Sequence, residues 1–389
     1  MPASKKIIGV FARPDSSVKR SVVSAIARAA PRFPAWEWVL VAPPAVVREF
    51  RVPDQLNGLL AWPDDEQDAQ TLCAAKLPTV FIGQIGPPGE ARVDRVMFDN
   101  HHSGRQIADF FLGKGFNSFA GFRDRSAAGY SYAIRRWQGF VDGLAESGLP
   151  EPPSFDGYPG SLNTEGWLKQ LPALGRWLQN LPEGTAVFCE RDRGARDLST
   201  ACAHFGIGIP DSLALLGVGN DDLLCGFGTP SLSSLDLDGD RAGTLAVELL
   251  AHRLRFPRAK PQTETLRNFR IVERASTNRI AVEDEVIRDA LQTIRAHMID
   301  GIDVESLSLK LGRGRRSLEK HFQAVLGHGP HREILLARIE FAKAQLVETN
   351  KPIADIAELC GFSEPQRLSE VFAREVGVSP RAWRKQYGK

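Results

Sequence analysis

From residue 5 to about residue 275, short apolar runs alternate with stretches that place apolar positions three and four apart. The runs cover 7–12, 56–62, 79–83, 96–98, 119–122, 186–189 and 213–218, and helical periodicity occupies 17–30, 103–114, 132–146, 193–205 and 241–255. A run of four to seven apolar residues followed by a helical period, repeated, is the pattern of a parallel sheet covered on both faces by helices. About 270 residues is long for one such sheet, so the pattern predicts two similar lobes with a cleft between them. Beyond Arg274 the pattern changes. From Asp284 onward only helical periodicity remains, broken by Gly and Pro, and Val286, Ala290, Ile294 and Met298 form one apolar stripe. The expected organisation is an α/β body over 5–275, a link over 276–283 and an all-helical tail over 284–389.

The tail contains an internal repeat. Leu311-Gly312, Leu318, Phe322, Gly327 and Pro330 are answered by Cys360-Gly361, Leu368, Phe372, Gly377 and Pro380, and the last four pairs all lie fifty residues apart. One supersecondary unit is therefore used twice. In each block a short helix (304–311; 353–359) stops at a glycine, which adopts positive φ without steric cost. A brief turn and a second helix follow (about 315–326; 365–375), which makes a helix-turn-helix. Residues 330–349 read as one long helix joining the blocks, with Ile334, Leu335, Arg338, Ile339, Ala342 and Leu346 as its core face.

In a helix-turn-helix the second helix enters the major groove and presents the residues at its N-terminal end to base edges. Those are Arg315, Arg316, Glu319 and Lys320 in the first unit, and Gln366, Arg367, Ser369 and Glu370 in the second. Leu318 and Phe322, and Leu368, Val371 and Phe372, point inward. Arg suits guanine, Gln adenine and Glu cytosine; the ordinary alternative is that these polar residues are only the solvated face of an amphipathic helix.

The second block, Ile353-Ala354-Asp355-Ile356-Ala357 through Cys360-Gly361-Phe362, Phe372 and Gly377-Val378-Ser379-Pro380, resembles the DNA-binding domain of AraC-type regulators over residues 285–387. The first block departs at Arg313 and Gly314, where that family has an apolar residue and Ser. In the body, four fragments resemble the effector domain of LacI/GalR-type repressors, itself similar to periplasmic sugar-binding proteins. They are Met97-Phe98-Asp99-Asn100, Arg136-Trp137-Gln138-Gly139-Phe140, 208–221 with Gly217-Val218-Gly219-Asn220-Asp221, and 230–235. The expected fold is thus a two-lobed periplasmic-binding-protein-like α/β domain followed by an all-α domain with two helix-turn-helix units. Together with Arg270-Ile271-Val272-Glu273-Arg274 and Ser276-Thr277, the combination resembles activators of pentose catabolic operons, which implies xylose or a related pentose as effector. By that resemblance the ligand residues are Arg13, Asp15, Ser16, Asp99, Arg136, Asn220, Asp221 and Asp238. Ordinary readings stand beside these: Arg136 as partner of a neighbouring acid, Asp238 as cap of the following helix. Gly219 departs, standing where such domains carry Asp.

Composition adds little: 43% apolar, 25% charged and a net charge of +2. Its distribution adds more, since residues 301–389 hold fifteen Lys/Arg against eleven Asp/Glu, a mild excess at the end expected to meet a polyanion. Five scattered cysteines lack metal or redox spacing, and the first ten residues lack the apolar core of a secretion signal. No stretch approaches the ~20 apolar residues of a membrane span. Walker A, HExxH and GxSxG motifs are absent, and the adjacent His101 and His102 fit a helix entry better than a metal site. The expectation is a cytoplasmic, non-enzymatic, cofactor-free regulator. Its expected partners are double-stranded DNA, a small sugar, RNA polymerase and a second copy bound through the body. The alternative is a sugar-binding receptor or transport protein, which calls for a secretion signal and has no use for the tail.

Overall fold

The computed structural model describes residues 5–41, 52–86, 93–123, 131–157, 165–226, 228–278, 285–297, 301–349 and 351–387. Of the readings above, Met298 and residues 279–283 of the link lie outside them. The chain divides into two compact units, Met1–Arg279 and Ile280–Lys389.

The body holds two six-stranded sheets. The first has the order β11-β5-β4-β3-β1-β2, with β1 Lys6–Phe11, β2 Trp36–Leu40, β3 Gly58–Ala61, β4 Thr79–Ile82, β5 Asp94–Phe98 and β11 Thr263–Leu266, all parallel. The second has the order β12-β10-β9-β8-β6-β7, with β6 Phe119–Arg123, β7 Ser154–Asp156, β8 Thr185–Cys189, β9 Leu213–Val218, β10 Ser233–Asp236 and β12 Arg270–Val272. Only β12 runs antiparallel among its pairings. Central strands such as β3, β8 and β9 are buried along their whole length, which is why they read as unbroken apolar runs.

The chain passes between the sheets three times. It leaves the first after β5, entering helix α3 (Asn100–Gly113), and returns through α8 (Gly239–Arg255), which packs on β3, β4 and β5. It passes back again between β11 and β12. At these passages Asp99 donates its backbone N–H to Leu266 O (2.9 Å), Arg267 bonds the Asp99 carboxylate (2.9 Å) and Gln106 donates to Phe269 O (2.8 Å). Two of the three passages are therefore tied to each other.

Helix α3 lies against α4 (Ser131–Glu146) at backbone contact distance. A Cβ on Gly104 would stand 2.0 Å from Arg136 O, and one on Gly139 1.9 Å from His101 O. Helix α1 (Ser17–Ala29) packs on α8 in the same manner, and a Cβ on Gly243 would stand 2.5 Å from Val22 O.

Ser276 and Thr277, assigned to the link on sequence, are buried in the second lobe. The Ser276 hydroxyl donates to Leu215 O (2.6 Å), and Thr277 shares a hydrogen bond with the buried Ser233 (2.7 Å).

In the tail, α9 (Glu285–Ala296) precedes α10 (Val304–Lys310) and α11 (Arg315–Leu326). Then come α12 (Pro330–Glu348), α13 (Ile353–Leu359), α14 (Pro365–Val376) and α15 (Pro380–Tyr387). Two separate cores result. Leu307, Leu318, Phe322 and Ile334 belong to one, and Ile339, Leu346, Ile356, Leu368 and Phe372 to the other. Helix α12 serves both, so its apolar residues are not confined to a single stripe.

Candidate ligand cleft and nucleic-acid interface

In open α/β sheets, ligands bind beyond the carboxyl ends of the strands. In the first lobe the turn after β1 carries Arg13, Asp15 and Ser16. Arg13 pairs with Asp64 (2.8 Å), which follows β3, and Lys19 bonds both Asp64 and Asp15 (3.0 Å to the latter). Burial alone would lower the Lys19 pKa, but these carboxylates outweigh it and hold it above its ordinary value. Ser16 caps α1 by accepting from Lys19 N (3.4 Å). Beside this network the half-buried Trp62 lies at the end of β3. Gly83, at φ +88°, lets the loop after β4 press on its indole; a Cβ there would be 2.9 Å from Nε1.

In the second lobe Arg136 is buried, and its guanidinium donates to Asn100 Oδ1 (2.5 Å), Ser103 Oγ (3.2 Å) and Glu190 O (3.2 Å). Burial pulls its pKa down to about 10, so it remains charged at neutral pH. These bonds hold the end of β8 against the start of α3. Asn220, in the left-handed region at φ +48°, binds Asp236 through Nδ2 (3.2 Å) and accepts from Arg274 (2.8 Å). Asp221 accepts from the backbone of Leu223 (3.1 Å) and bonds Arg20 (2.5 Å). Asp238 caps α8 through Arg241 N (3.0 Å), and Asp99 caps α3 through His102 N (3.0 Å). Burial opposes the Asp99 charge, yet the His102 amide and Arg267 hold its pKa below the ordinary value.

The structure thus brings Arg13, Asp15 and Ser16 together on one lobe and Asn220 and Asp221 on the other, and places Asp99 and Asp238 at passages between them. It also adds groups that the sequence reading missed: Lys19, Trp62, Asp64, Glu190 and Asp192. Trp62, Asp64 and Glu190 lie just beyond strand ends, a rule that would have found Asp64 and Glu190, whereas Lys19 sits in the first turn of α1 and Asp192 opens the helix after β8.

Gly219 has a structural account. At φ +122° its carbonyl accepts from Ser17 Oγ (2.8 Å), and a Cβ would lie 2.8 Å from that oxygen. With Arg20–Asp221, this bond joins the start of α1 directly to the end of β9.

Asp192, buried below that junction, accepts from Asp221 N (2.7 Å) and Ser234 Oγ (2.5 Å). Burial raises its pKa to about 6, and raises that of the buried Asp197 to about 7. An acid whose pKa is raised on folding favours the fold when protonated. Its contribution is full below the unfolded value of 3.8 and is lost as pH rises through 6. The urea midpoint of the body is therefore expected to fall as pH rises from about 4 to about 7, and Asp192→Asn to flatten the part of that fall below pH 6. An unaltered slope in the variant would refute the assignment.

In the tail, Arg315, Arg316, Lys320, Gln366, Arg367 and Glu370 are exposed, and Glu319 and Ser369 are half-buried. Leu318, Phe322, Leu368, Val371 and Phe372 are fully buried, as their spacing predicts. Arg315 pairs with Glu319 (2.9 Å), Arg367 with Glu370 (3.3 Å), and Ser369 Oγ bonds back to Pro365 O (3.0 Å). The turns hinge on Gly312 (φ +60°) and Gly361 (φ +72°). Gly314 caps α11 without a side-chain bond, whereas Asp303 forms a full capping box with Ser306 on α10.

Among the described residues, no cluster of His, Cys, Asp or Glu could hold a metal ion, and no helix is long and apolar enough to cross a membrane.

A two-lobed periplasmic-binding-protein-like body followed by a tail of paired helix-turn-helix units defines a DNA-binding transcription regulator, with a tail of AraC type. Residues 108–277 match the periplasmic binding protein-like domain family, and 307–386 match a helix-turn-helix domain family. In particular, the chain is 29% identical over 339 residues to the xylose operon regulatory protein of Escherichia coli K12, covering 84% of this chain and 83% of that one. It is 25% identical to the protein of the same name in Haemophilus influenzae, covering 85% of each. The solved structure of the xylose-binding transcription activator xylR superposes over the whole of both chains with a TM-score of 0.78 and 26% identity. The CelR–cellobiose complex, at 18% identity and a TM-score of 0.55 over 70% of this chain, shares the fold of the body.

Proposed function

We propose that this chain activates a sugar catabolic operon when xylose or a related pentose binds between the lobes of its body. The observation that carries this reading is the correspondence along the full chain, body and tail together, with a xylose-binding activator. The cleft chemistry supports it: Arg13, Asp15, Lys19, Asp64, Asn220 and Asp221 supply donors and acceptors for hydroxyls, and Trp62 supplies an apolar ring face. Asp99, Arg136 and Asp238 act mainly by holding the strand ends and helix starts in place. Because Gly219 brings no carboxylate to the end of β9, the pentose meets an acceptor set of its own, and xylulose, ribose and arabinose belong beside xylose in any panel.

Bonds from both lobes are made only when the cleft is closed, so the effector shifts the body by its greater affinity for that state. The protein works in the cytoplasm as a homodimer joined through the body, recruits RNA polymerase and carries out no catalytic step of its own. Each tail places α11 and α14 in successive turns of the major groove, roughly 34 Å apart. The rise of the 19-residue α12, about 28 Å, suits that separation.

The deciding experiment is a footprint on the DNA upstream of the chain's own gene, with and without each pentose, beside a thermal shift on the same panel. Expected are a sugar-dependent protected region and a raised melting temperature with one pentose. Absence of protection under every condition would refute the regulator, and absence of any shift would refute the pentose. Arg367→Ala is expected to weaken specific binding by about 1–3 kcal/mol and to relax one base position. An unchanged preference would move base reading away from the start of α14.

A further inference from the structure

We propose that Arg338 is a positioning residue that sets the angle between the two helix-turn-helix units, and thereby the spacing of the base contacts each tail demands. The two units share α12 but not a core. Ile334 packs with the first and Ile339 with the second, and Arg338 lies between them. Apolar packing is non-directional, so two cores strung on one helix leave their relative roll weakly specified. Arg338 supplies direction. Its Nη2 donates to the carbonyl of Ile302 (3.1 Å), in the segment leading into α10 of the first unit. Its guanidinium lies against Gly361, in the turn of the second unit. A Cβ at that glycine would come within 3.3 Å of both Cζ and Nη2.

Gly361 is thus glycine for two reasons, its φ of +72° and the arginine lying over it. Arg338 is half-buried, and its Nε is buried without a partner among the described residues. Burial lowers its pKa from the usual arginine value. An apolar side chain would satisfy a core position more cheaply here. A planar group bonded to one unit and flat against the other is suited to fixing an angle.

The test uses the full-length chain and its footprinted site, with one base pair inserted or deleted between the two elements contacted by a single tail. Each change rotates one element about 34° and moves it about 3.4 Å relative to the other. The unaltered protein is expected to lose roughly tenfold in affinity for either change, the scale of a mismatched base. In Arg338→Met, binding to the native spacing weakens and the penalty for shifted spacings shrinks to about threefold or less. Arg338→Lys, which keeps charge and reach but not the planar fork, falls between. A merely structural arginine would weaken binding equally at every spacing. Arg338→Met that keeps the tenfold ratio, whatever its absolute affinity, overturns the proposal, as does an unaltered protein indifferent to spacing. Should the methionine variant lose its helical signal, the same ratio in Arg338→Lys decides.

Discussion

Replacing Gly139 with alanine is expected to lower the stability of the body by about 3 kcal/mol, the upper end of what overpacking ordinarily costs. The added methyl would stand 1.9 Å from the carbonyl oxygen of His101 and 2.7 Å from its carbon. Backbone atoms cannot rotate aside as a side chain does, so α3 and α4 must separate. The reciprocal contact at Gly104 then opens with them, and so does the network that Arg136 builds from α4 to Asn100 and Ser103. The matching control is Gly113→Ala, at the last turn of α3, where an added Cβ meets nothing within 4 Å. That change is expected to be neutral or mildly stabilising, because alanine restricts the unfolded chain. Urea titration followed by tryptophan fluorescence, with Trp137 buried on α4, reads both variants. Equal midpoints for Gly139→Ala and the parent would mean that the helices do not meet at backbone distance.

Phe372→Ala is expected to cost about 3–5 kcal/mol, the range for removing a fully buried aromatic side chain. Phe372 is 0% exposed in the second core of the tail, edge-on to Trp383 at 6.0 Å. That core is small, and α13, α14 and the C-terminal part of α12 share it. The loss therefore falls on the second unit. Hydrogen exchange is expected to show faster exchange across 353–387, with 304–326 still protected, and footprints to lose one of the two elements bound by each tail. Protection retained across both units would show that the two cores are not independent.

Much of this architecture was readable in the chain before any coordinates. The fifty-residue repeat located both helix-turn-helix units, and α11, α14 and α12 run within a residue or two of the predicted bounds. In the body, every strand recognised is flanked by others on both sides. Five were left out: β2, β7, β11 and β12, the outer strands of the two sheets, and the inner β10, whose Ser-Ser-Leu-Asp holds one apolar residue. An outer strand is only partly covered: β11 reads Thr-Glu-Thr-Leu and is almost wholly exposed, so no apolar run marks it. Helix α2 (Glu66–Ala74), short and weakly patterned, escaped for a related reason.

The candidate cleft was less legible than the fold. Arg13 could be picked out on one strand end, but its partner Asp64 lies fifty-one residues on, and no local period links them. Asp192 gave no sign at all. Its importance comes from being enclosed by Gly217, Ser234 and Asp221, which meet only in three dimensions. Gly219 was noticed as a missing acid, and the coordinates supply what a sequence cannot, the hydroxyl of Ser17 seated where a side chain would be.

The three passages of the chain between sheets have a consequence for synthesis. A ribosome delivers β1 to β5 first, yet that sheet lacks its outer strand β11, and its covering helix α8, until residue 266 has emerged. The first lobe therefore stays open-edged while the entire second lobe, except β12, is made and begins to fold. Closing it requires contacts between residues about 160 positions apart, such as Arg253 with Asp94, and such distant closures are slow. The helical tail, rich in local contacts, forms last in order but fast in time. A nascent chain stalled before residue 239 presents an unfinished parallel sheet, and this is the stage at which a chaperone is most needed.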